Sequence, residues 1–592
     1  MNPTYHGVNK SHAVGYMRSG IPFGQYVHRW TAPIIPGLVL ILAVLSCRVA
    51  VSQTTDVSES LPTLDSLYDG FRVSEIEIEL PAEKWDTLRN QYRSEGEVLG
   101  SKATGQKYTW QQAKITIDGF PVEDAGVRKK GSLGSFSTSR PSLKINLEKF
   151  QDQTPEFAWK HLTLNNNLQD SSRVNHYLAC QIFRDAGIPA ARCGFARVTV
   201  NGKYLGVYLN VEPIKKGFLK RNFGEATGPL YEGMVADFFP ERIQRMECKN
   251  DAAKLDHLTE LIEAINLNPP DLERVEELVD MDAFFRFWAM ESLLGAVDGY
   301  SSNQNNFWFY KKQTNDKFYF IPWGVDLAFT ESQPIAKRRI EPLSVHHQSV
   351  LCNKFYRVPR LRRKYEETLI ALIEEYWSVP VLTAEVTRLQ DLLDPHLLPM
   401  VRRNSPNNYD RIRKFIRTRR DTVAEEFLNG PPMLKTREKM PLIIHTFGKA
   451  VMEFDAKWFD EVPSDFGEYG DVDIDLTIGE RKVSFSRLKI VASPSKGAYS
   501  EEELAPPSVT FDGYDAESGE RIVISVGLTA EDFRPTDAEM VRIGGIGFFD
   551  GKRRRAFGRV VFEAAERRVG ARVKGKMMLE FTEPRGGNFL DY

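Results

Sequence analysis

The sequence predicts an α+β fold with two lobes, the first β-rich and the second helical, followed by a small all-β sandwich or barrel. Three observations carry this. Apolar residues alternate over residues 71–80, 108–117, 120–128 and 142–147, the period of half-buried strands. From about residue 213 to 430 the apolar spacing changes to three and four, the period of amphipathic helices. Beyond Pro431-Pro432, short strand candidates separated by Gly, Pro and Asp return. A chain of 592 residues is also too long for one compact core.

The N-terminus reads as an export signal. Arg18, His28 and Arg29 precede an apolar run over residues 34–46, and Ala50-Val51-Ser52 has the small-residue pattern of a cleavage site ahead of Gln53. The run is short for a membrane span. Secretion or another extracytoplasmic location is therefore expected for residues 1–52, with a retained N-terminal membrane anchor as the alternative. Cys47 after Val44-Leu45-Ser46 loosely resembles a lipoprotein box. Residues 53–69 are polar and turn-rich, a linker.

Residues 70–212 supply the β-rich lobe. Val73, Ile76 and Ile78 mark the apolar content of the first strand, and Pro81 introduces a helix over residues 82–92. A second helix spans residues 171–186 and stops at Gly187, with Pro189 beyond. Strands over 195–200 and 204–211 flank Asn201-Gly202, and both turn residues tolerate positive φ, so the pair is a hairpin. In the helical lobe, residues 213–430, periodic segments cover 255–265, 281–294, 360–377 and 409–428. A cleft between two such lobes is a natural nucleotide site. Residues 431–592 carry strand candidates at 471–478, 482–491, 521–528, 540–549, 558–563 and 572–580, with no catalytic constellation among them.

Composition narrows the function. Hydrophobic residues make up 42%, charged residues 27%, and the formal net charge is −2, which gives no support to a general nucleic-acid binder. The basic runs Lys337-Arg338-Arg339 and Lys552-Arg553-Arg554-Arg555 read as solvated surface. Past the signal remain Cys180, Cys193, Cys248 and Cys352, an even number that permits two disulfides without selecting a pairing. Motifs for CxxC redox or metal chemistry, HExxH zinc and the Gly-x-Ser-x-Gly elbow are missing, and the adjacent His346-His347 is a poor metal site.

Asp298-Gly299-Tyr300-Ser301-Ser302-Asn303 is the segment with most chemical content. Asn306-Phe307-Trp308-Phe309-Tyr310 reads as a buried strand, Gln313-Thr314-Asn315-Asp316 as a turn and Phe318-Tyr319-Phe320-Ile321 as the return strand, leading through Pro322-Trp323 to Asp326. A hairpin brings its ends together, so Asn303 and Asp326 share one pocket. One acid orienting a hydroxyl, with an amide and a second acid holding a divalent metal on phosphates, is the pattern of a phosphoryl-transfer site. Asp and Asn in loops serve equally as helix caps and turn residues.

Several separated segments together resemble the CotH family, the spore-coat-protein-H-like atypical protein kinases. They are Gly126-Val127-Arg128-Lys129-Lys130-Gly131-Ser132 with Arg140-Pro141-Ser142-Leu143-Lys144-Ile145; Leu164-Asn165-Asn166 with Asp170; Phe183-Arg184-Asp185-Ala186-Gly187-Ile188-Pro189-Ala190; Asn201-Gly202-Lys203-Tyr204-Leu205-Gly206-Val207-Tyr208 through Val211-Glu212 and Phe218-Leu219; and Asp298-Gly299-Tyr300 through Asn305-Asn306-Phe307 to Ile321-Pro322-Trp323-Gly324-Val325-Asp326. The similarity spans roughly residues 66–430 and leaves out the C-terminal β region. The resemblance implies a two-lobed atypical protein-kinase-like fold and transfer of the ATP γ-phosphate to serine of exported or cell-surface proteins. It implies Lys144 on the nucleotide phosphates, backbone contacts from Gly131 and Ser132, and an adenine contact at Glu212. Asp298 would accept or orient the hydroxyl proton. Asn303 and Asp326 would ligate Mg²⁺ or Mn²⁺, with Asn306 as an alternative amide ligand.

Two positions depart from the family pattern. Gly324 stands where the first acid of Asp-x-Asp is common, and His176 aligns with an acidic residue on the first-lobe helix that a histidine does not replace as a partner for Lys144. These departures keep a second reading open, a non-catalytic pseudokinase scaffold in surface or coat assembly. A third is a carbohydrate-active enzyme pairing Asp298 with Glu291 or Asp326.

Overall fold

The structure is a computed structural model that describes residues 61–584, apart from 92, 94–97, 101–107, 132–136, 151–158, 333–340, 442, 468, 496–504, 529–532, 536–540 and 550. The export signal, Cys47, residues 53–60 of the linker, Ser132 and the basic run at 337–339 therefore lie outside the described residues.

A one-turn helix, α1 (Leu64–Leu67), capped by the Thr63 hydroxyl, leads into β1 (Val73–Glu79). There Ile76 and Ile78 turn inward while Glu75, Glu77 and Glu79 face solvent. Pro81 lies just ahead of α2 (Ala82–Asn90). The strands β2 (Gln111–Ile117) and β3 (Phe120–Lys130) turn at Asp118-Gly119, both at positive φ. Then come β4 (Ser142–Asn146), β5 (His161–Asn165), α3 (Asn175–Asp185), β6 (Cys193–Val200) and β7 (Lys203–Val211). The order β1-β2-β3-β4-β5-β7-β6 closes into a barrel, because β1 pairs antiparallel with β2 and parallel with β6, Ile76 lying opposite Val198. Its interior is filled by Ile78, Ile115, Val127, Ile145, Leu162 and Val198.

The Asn201-Gly202 hairpin forms as expected, with φ of 48° and 77°. α3 starts later than its periodicity suggests, because Asp170 accepts the backbone N–H groups of Ser172 and Asn175 and folds residues 170–174 into a loop. It ends in a Schellman turn: Gly187, at φ 71°, donates to Arg184 O, and Ile188 donates to Phe183 O.

The following stretch is mixed rather than purely helical. It contains α4 (Lys216–Phe223), β8 (Leu230–Gly233), β9 (Met246–Cys248), α5 (Asp256–Asn266), α6 (Leu272–Leu278), α7 (Met281–Leu293), α8 (Tyr300–Asn303), β10 (Phe307–Lys312) and β11 (Lys317–Pro322). The four strands make a sheet in the order β11-β10-β8-β9. β8 and β9 are too short for a period-two signal to emerge from sequence. The helices α9 (Val350–Arg357), α10 (Pro359–Tyr376), α11 (Val379–Leu393) and α12 (Pro399–Phe427) complete this part. α12 begins well before Tyr409 and carries Pro406 inside it, at the cost of one backbone hydrogen bond. Phe195, Val207, Leu209 and Val211 of β6 and β7 share one apolar core with Phe183, Trp288 and Phe309, which joins the barrel to the helices. None of the described helices is long and apolar enough to cross a membrane.

The C-terminal region is all β: β12 (Ile444–Lys457), β13 (Gly470–Ile478), β14 (Arg481–Val483), β15 (Phe485–Pro494), β16 (Pro507–Asp515), β17 (Arg521–Gly527), β18 (Val541–Phe549), β19 (Lys552–Ala565) and β20 (Arg572–Pro584). They form one sheet in the order β14-β13-β12-β20-β19-β18-β17-β16-β15, and a bridge from Trp458 to Ala492 bends it into a barrel-like wall around Met452, Phe454, Ile524, Phe562 and Leu579. The expected strand at 482–491 is two strands, and the basic run at 552–555 is not wholly solvated. Arg554 is buried, 2.8 Å from Glu583. Cys180, Cys193 and Cys352 are buried thiols and Cys248 is exposed.

Candidate active site

The β10–β11 hairpin builds the first wall. Its register places Phe307 opposite Pro322, and Trp323 donates its N–H to Asn306 O at 3.0 Å, so the segment from Asp298 meets the turn containing Asp326. Val297 N–H to Leu327 O, 3.3 Å, extends the contact. Asp298 follows α7 and is held by three side-chain amides. Asn303 donates at 2.6 Å, Asn306 at 2.7 Å, and Asn305 reaches both carboxylate oxygens at 3.2 and 3.3 Å. Burial pushes the Asp298 carboxyl up, while the three amides pull it down. Asn303 and Asn306 thus turn their NH₂ groups to Asp298 and keep their amide oxygens for another partner.

Asp326 sits in the 3₁₀ turn Val325–Leu327, directly after Gly324 in the left-handed region at φ 53°. Burial pushes its carboxyl up to about 6, with His176 opposing and the charges of Asp298 and Asp170 adding to the rise. The turn is gripped from α3: Asn175 donates its amide to Asp326 O at 3.0 Å and to Ala328 O at 3.1 Å. Asp170 in turn accepts the Asn175 N–H at 2.8 Å.

The opposite wall is the outer face of β3 and β4. Arg128 pairs with Lys144 and Lys130 with Ser142, so Lys130 and Lys144 are diagonal neighbours on one face. Burial pushes the Lys144 ammonium down to about 7, and nearby Lys130 adds to the shift while Glu232 opposes it. Lys130 is lowered by burial as well, against the attraction of Asp326 and Glu232. Glu232 itself is ion-paired to Lys249 at 2.5 Å. Among the described residues neither Lys130 nor Lys144 has a hydrogen-bond or ion-pair partner. Lys129 points the other way and donates to Arg89 O.

Gly131 adopts φ 96°, and its carbonyl accepts the Tyr108 hydroxyl at 3.1 Å. Glu212 is buried, and its carboxylate is committed to the Arg192 N–H at 3.0 Å, the Arg192 guanidinium at 3.2 Å and a bidentate pair with Arg221. It clasps α4 to the entry of β6. Glu291 lies behind the site and accepts the N–H groups of Tyr300 (3.1 Å) and Ser301 (2.8 Å) at the start of α8. Both its oxygens are thereby spent on backbone, which argues against the paired-acid role with Asp298.

The two family departures have a physical setting. A Cβ on Gly324 would come within 2.8 Å of the Asn306 carboxamide, so Asn306 fills the space an acid at 324 would need. His176 is 2% exposed, and neither ring nitrogen has a hydrogen-bond partner. Sequence reasoning missed Lys130, Asn175 and Asn305. Lys130 was legible from the strand period, which puts residues 128 and 130 on the same face.

The family model described as CotH kinase protein matches residues 127–423, and the chain belongs to the CotH family. The match runs from β3 to α12 and leaves out the C-terminal sheet. Its relatives include spore coat protein homolog 1 of Rhizopus delemar, 23% identical over 314 residues, covering 50% of this chain and 51% of the relative. Inner spore coat protein H of Bacillus subtilis is 21% identical over 293 residues, covering 47% of this chain and 78% of the relative. Invasin CotH7 of R. delemar is 23% identical over 261 residues, covering 40% and 44% respectively. The chain spans about half the length of the fungal relatives it matches.

Proposed function

We propose that the chain is an exported or cell-surface phosphotransferase that moves the γ-phosphate of ATP to serine of an exported protein, with Mg²⁺ or Mn²⁺ as cofactor. In this reading the barrel is the first lobe of a kinase-like body, the helices and four-stranded sheet are the second, and ATP lies between them. The observation that carries it is the pair of unpartnered lysine amines, Lys130 and Lys144, on one face of the barrel, with Lys130 in the field of the Asp326 carboxylate.

The donor set fits a hard divalent cation. Asp326 offers a carboxylate, and Asn303 and Asn306 offer the amide oxygens left over from their bonds to Asp298. A bound cation would supply charge neutralisation on the transferring phosphates. Lys144 and Lys130 would hold the same phosphates from the barrel side, each as a point charge. Asp298, fixed in orientation by three amides, would position the serine hydroxyl and receive its proton, a task that depends chiefly on placement. The names of the relatives, spore coat proteins and an invasin, suit an extracytoplasmic setting for this reaction.

The test is thermal unfolding of the full chain with millimolar ATP and Mn²⁺, alongside transfer of labelled phosphate to a serine-containing protein. The wild type is expected to melt higher with ligand, by mass action. Asp326→Ala should lose that stabilisation, and Asp298→Ala should keep it while losing transfer. Absence of any stabilisation of the wild type would instead leave the family body as an assembly scaffold.

A further inference from the structure

We propose that His176, Cys180 and Cys193 form a second cation site, for a thiophilic divalent ion of the Zn²⁺ class. The ion would clasp α3 to β6 behind the Asp326 turn. His176 and Cys180 stand four residues apart on α3 and so share one face of the helix. Cys193 is the first residue of β6. The candidate ligand atoms of the three residues all lie within 4.8 Å of one another, and all three side chains are buried. With metal–ligand bonds of about 2.0–2.3 Å, ligand atoms around one tetrahedral ion stand roughly 3.3–3.8 Å apart. The cluster needs only small side-chain adjustments to reach that spacing.

The second observation is the imidazole. His176 is 2% exposed, and both ring nitrogens lack a hydrogen-bond partner. Buried polar atoms are nearly always satisfied, and an imidazole with no well-formed hydrogen bond, whose polar neighbour is the Cys180 thiol, is placed to share a cation with it. On binding, each thiol gives up its proton to solvent and becomes a thiolate, while the imidazole coordinates in its neutral form. Two sulfurs and a nitrogen select a borderline-soft metal and discriminate against Mg²⁺, whose expected donors at Asp326, Asn303 and Asn306 are all oxygens. The two centres are chemically distinct. This inference therefore does not rest on the proposed phosphotransfer.

The placement gives the ion a structural consequence. Asn175, one residue before His176, holds the Asp326 turn through its amide. Fixing His176 and Cys180 to β6 fixes the first turn of α3, and with it the backbone that presents Asp326. The histidine at the position of the family's usual acid thereby gains a function.

Co²⁺ is the probe, added to the full chain purified under reducing conditions with a chelator and then freed of it. One equivalent is expected to give a thiolate-to-cobalt charge-transfer band with tetrahedral visible absorption, displaced by Zn²⁺. Cys193→Ser should weaken Co²⁺ binding by more than ~10-fold, since even loss of an outer-shell partner costs that much. Asp326→Asn should leave the cobalt spectrum unchanged. On the wild type, Zn²⁺ should slow alkylation of Cys180 and Cys193 but not of exposed Cys248, a readout that survives a misfolded variant. Three results would each overturn the proposal: no charge-transfer band from the folded, reduced chain, a Co²⁺ affinity unchanged in Cys193→Ser, or a Cys180–Cys193 disulfide in the natively isolated protein.

Discussion

Lys144 and its diagonal neighbour Lys130 set two half-buried amines side by side, with no hydrogen-bond or ion-pair partner among the described residues. Such a pair is destabilising unless an anion occupies the site, and burial together with Lys130 has already pushed Lys144 down to about 7. A triphosphate would reverse this shift, because a nearby negative charge favours the ammonium. At pH 8 the ligand-free Lys144 is mostly neutral, so binding of ATP should take up protons, to at most one from this residue. Calorimetric titrations in buffers of different ionisation enthalpy measure that uptake directly. Lys144→Met should abolish it. The same substitution should weaken ATP binding about 10–100-fold, the equivalent of one charged hydrogen bond. Lys130→Met should weaken binding to a similar degree. Binding that is indifferent to both substitutions would remove the phosphate role from this face of the barrel.

At the scale of elements, the hairpin β10–β11 and the helix α3 do the positioning, and they differ in how much of their work shows in sequence. The hairpin was legible because its register is local: an apolar run, a four-residue turn and a return run place Asn306 against Trp323. The Asn201-Gly202 hairpin and the glycine stop of α3 were legible for the same reason. What stayed hidden depends on residues far apart in the chain. Nothing near Asn175 announces that its amide reaches Asp326 O, and nothing near Glu212 announces that Arg192 and Arg221 consume its carboxylate. Closure of the barrel by β1 against β6 is likewise a long-range pairing. The turn after β11 yields a prediction of its own. Gly324→Asp places a side chain at φ 53° and drives its Cβ to 2.8 Å from the Asn306 carboxamide. The left-handed backbone alone costs about 1–2 kcal/mol, and overpacking adds roughly 1–3 kcal/mol. Chemical denaturation should therefore show Gly324→Asp to be destabilised, with partial recovery in the double variant carrying Asn306→Ala. A single variant as stable as the wild type would mean that Asn306 yields freely and that the acid is simply replaceable here.

For the whole molecule, the site couples stability to pH in a direction opposite to that of most salt-bridged proteins. Burial raises the carboxyls of Asp326 to about 6 and of Glu291 to about 7, and likewise to about 7 that of Asp237, which accepts the Tyr300 hydroxyl at 3.0 Å and the Val350 N–H at 2.8 Å. All three hold a proton more tightly when folded than when unfolded, where carboxyls titrate near ~4. Their stabilising contribution is complete below the unfolded pKa and is lost as pH rises through the folded values, since the folded state then binds more protons than the unfolded one across that window. The ligand-free chain should accordingly lose stability from these groups between about pH 4 and 7. Lys144 acts in the other sense: its folded pKa is lowered, so it adds stability as pH rises from about 7 toward its unfolded value. Cation-dependent nucleotide binding needs Asp326 ionised, so the rise in melting temperature caused by ATP and Mn²⁺ should be small at pH 5 and large at pH 7.5. The ligand-free and ligand-induced profiles should thus run in opposite directions through pH 6. Asp326→Asn imitates the protonated acid at every pH and should flatten the ligand-induced profile while leaving the contributions of Glu291 and Asp237 to the ligand-free one. A ligand-induced shift that is equally large at pH 5 would separate the cation from Asp326 and move the metal centre elsewhere in the fold.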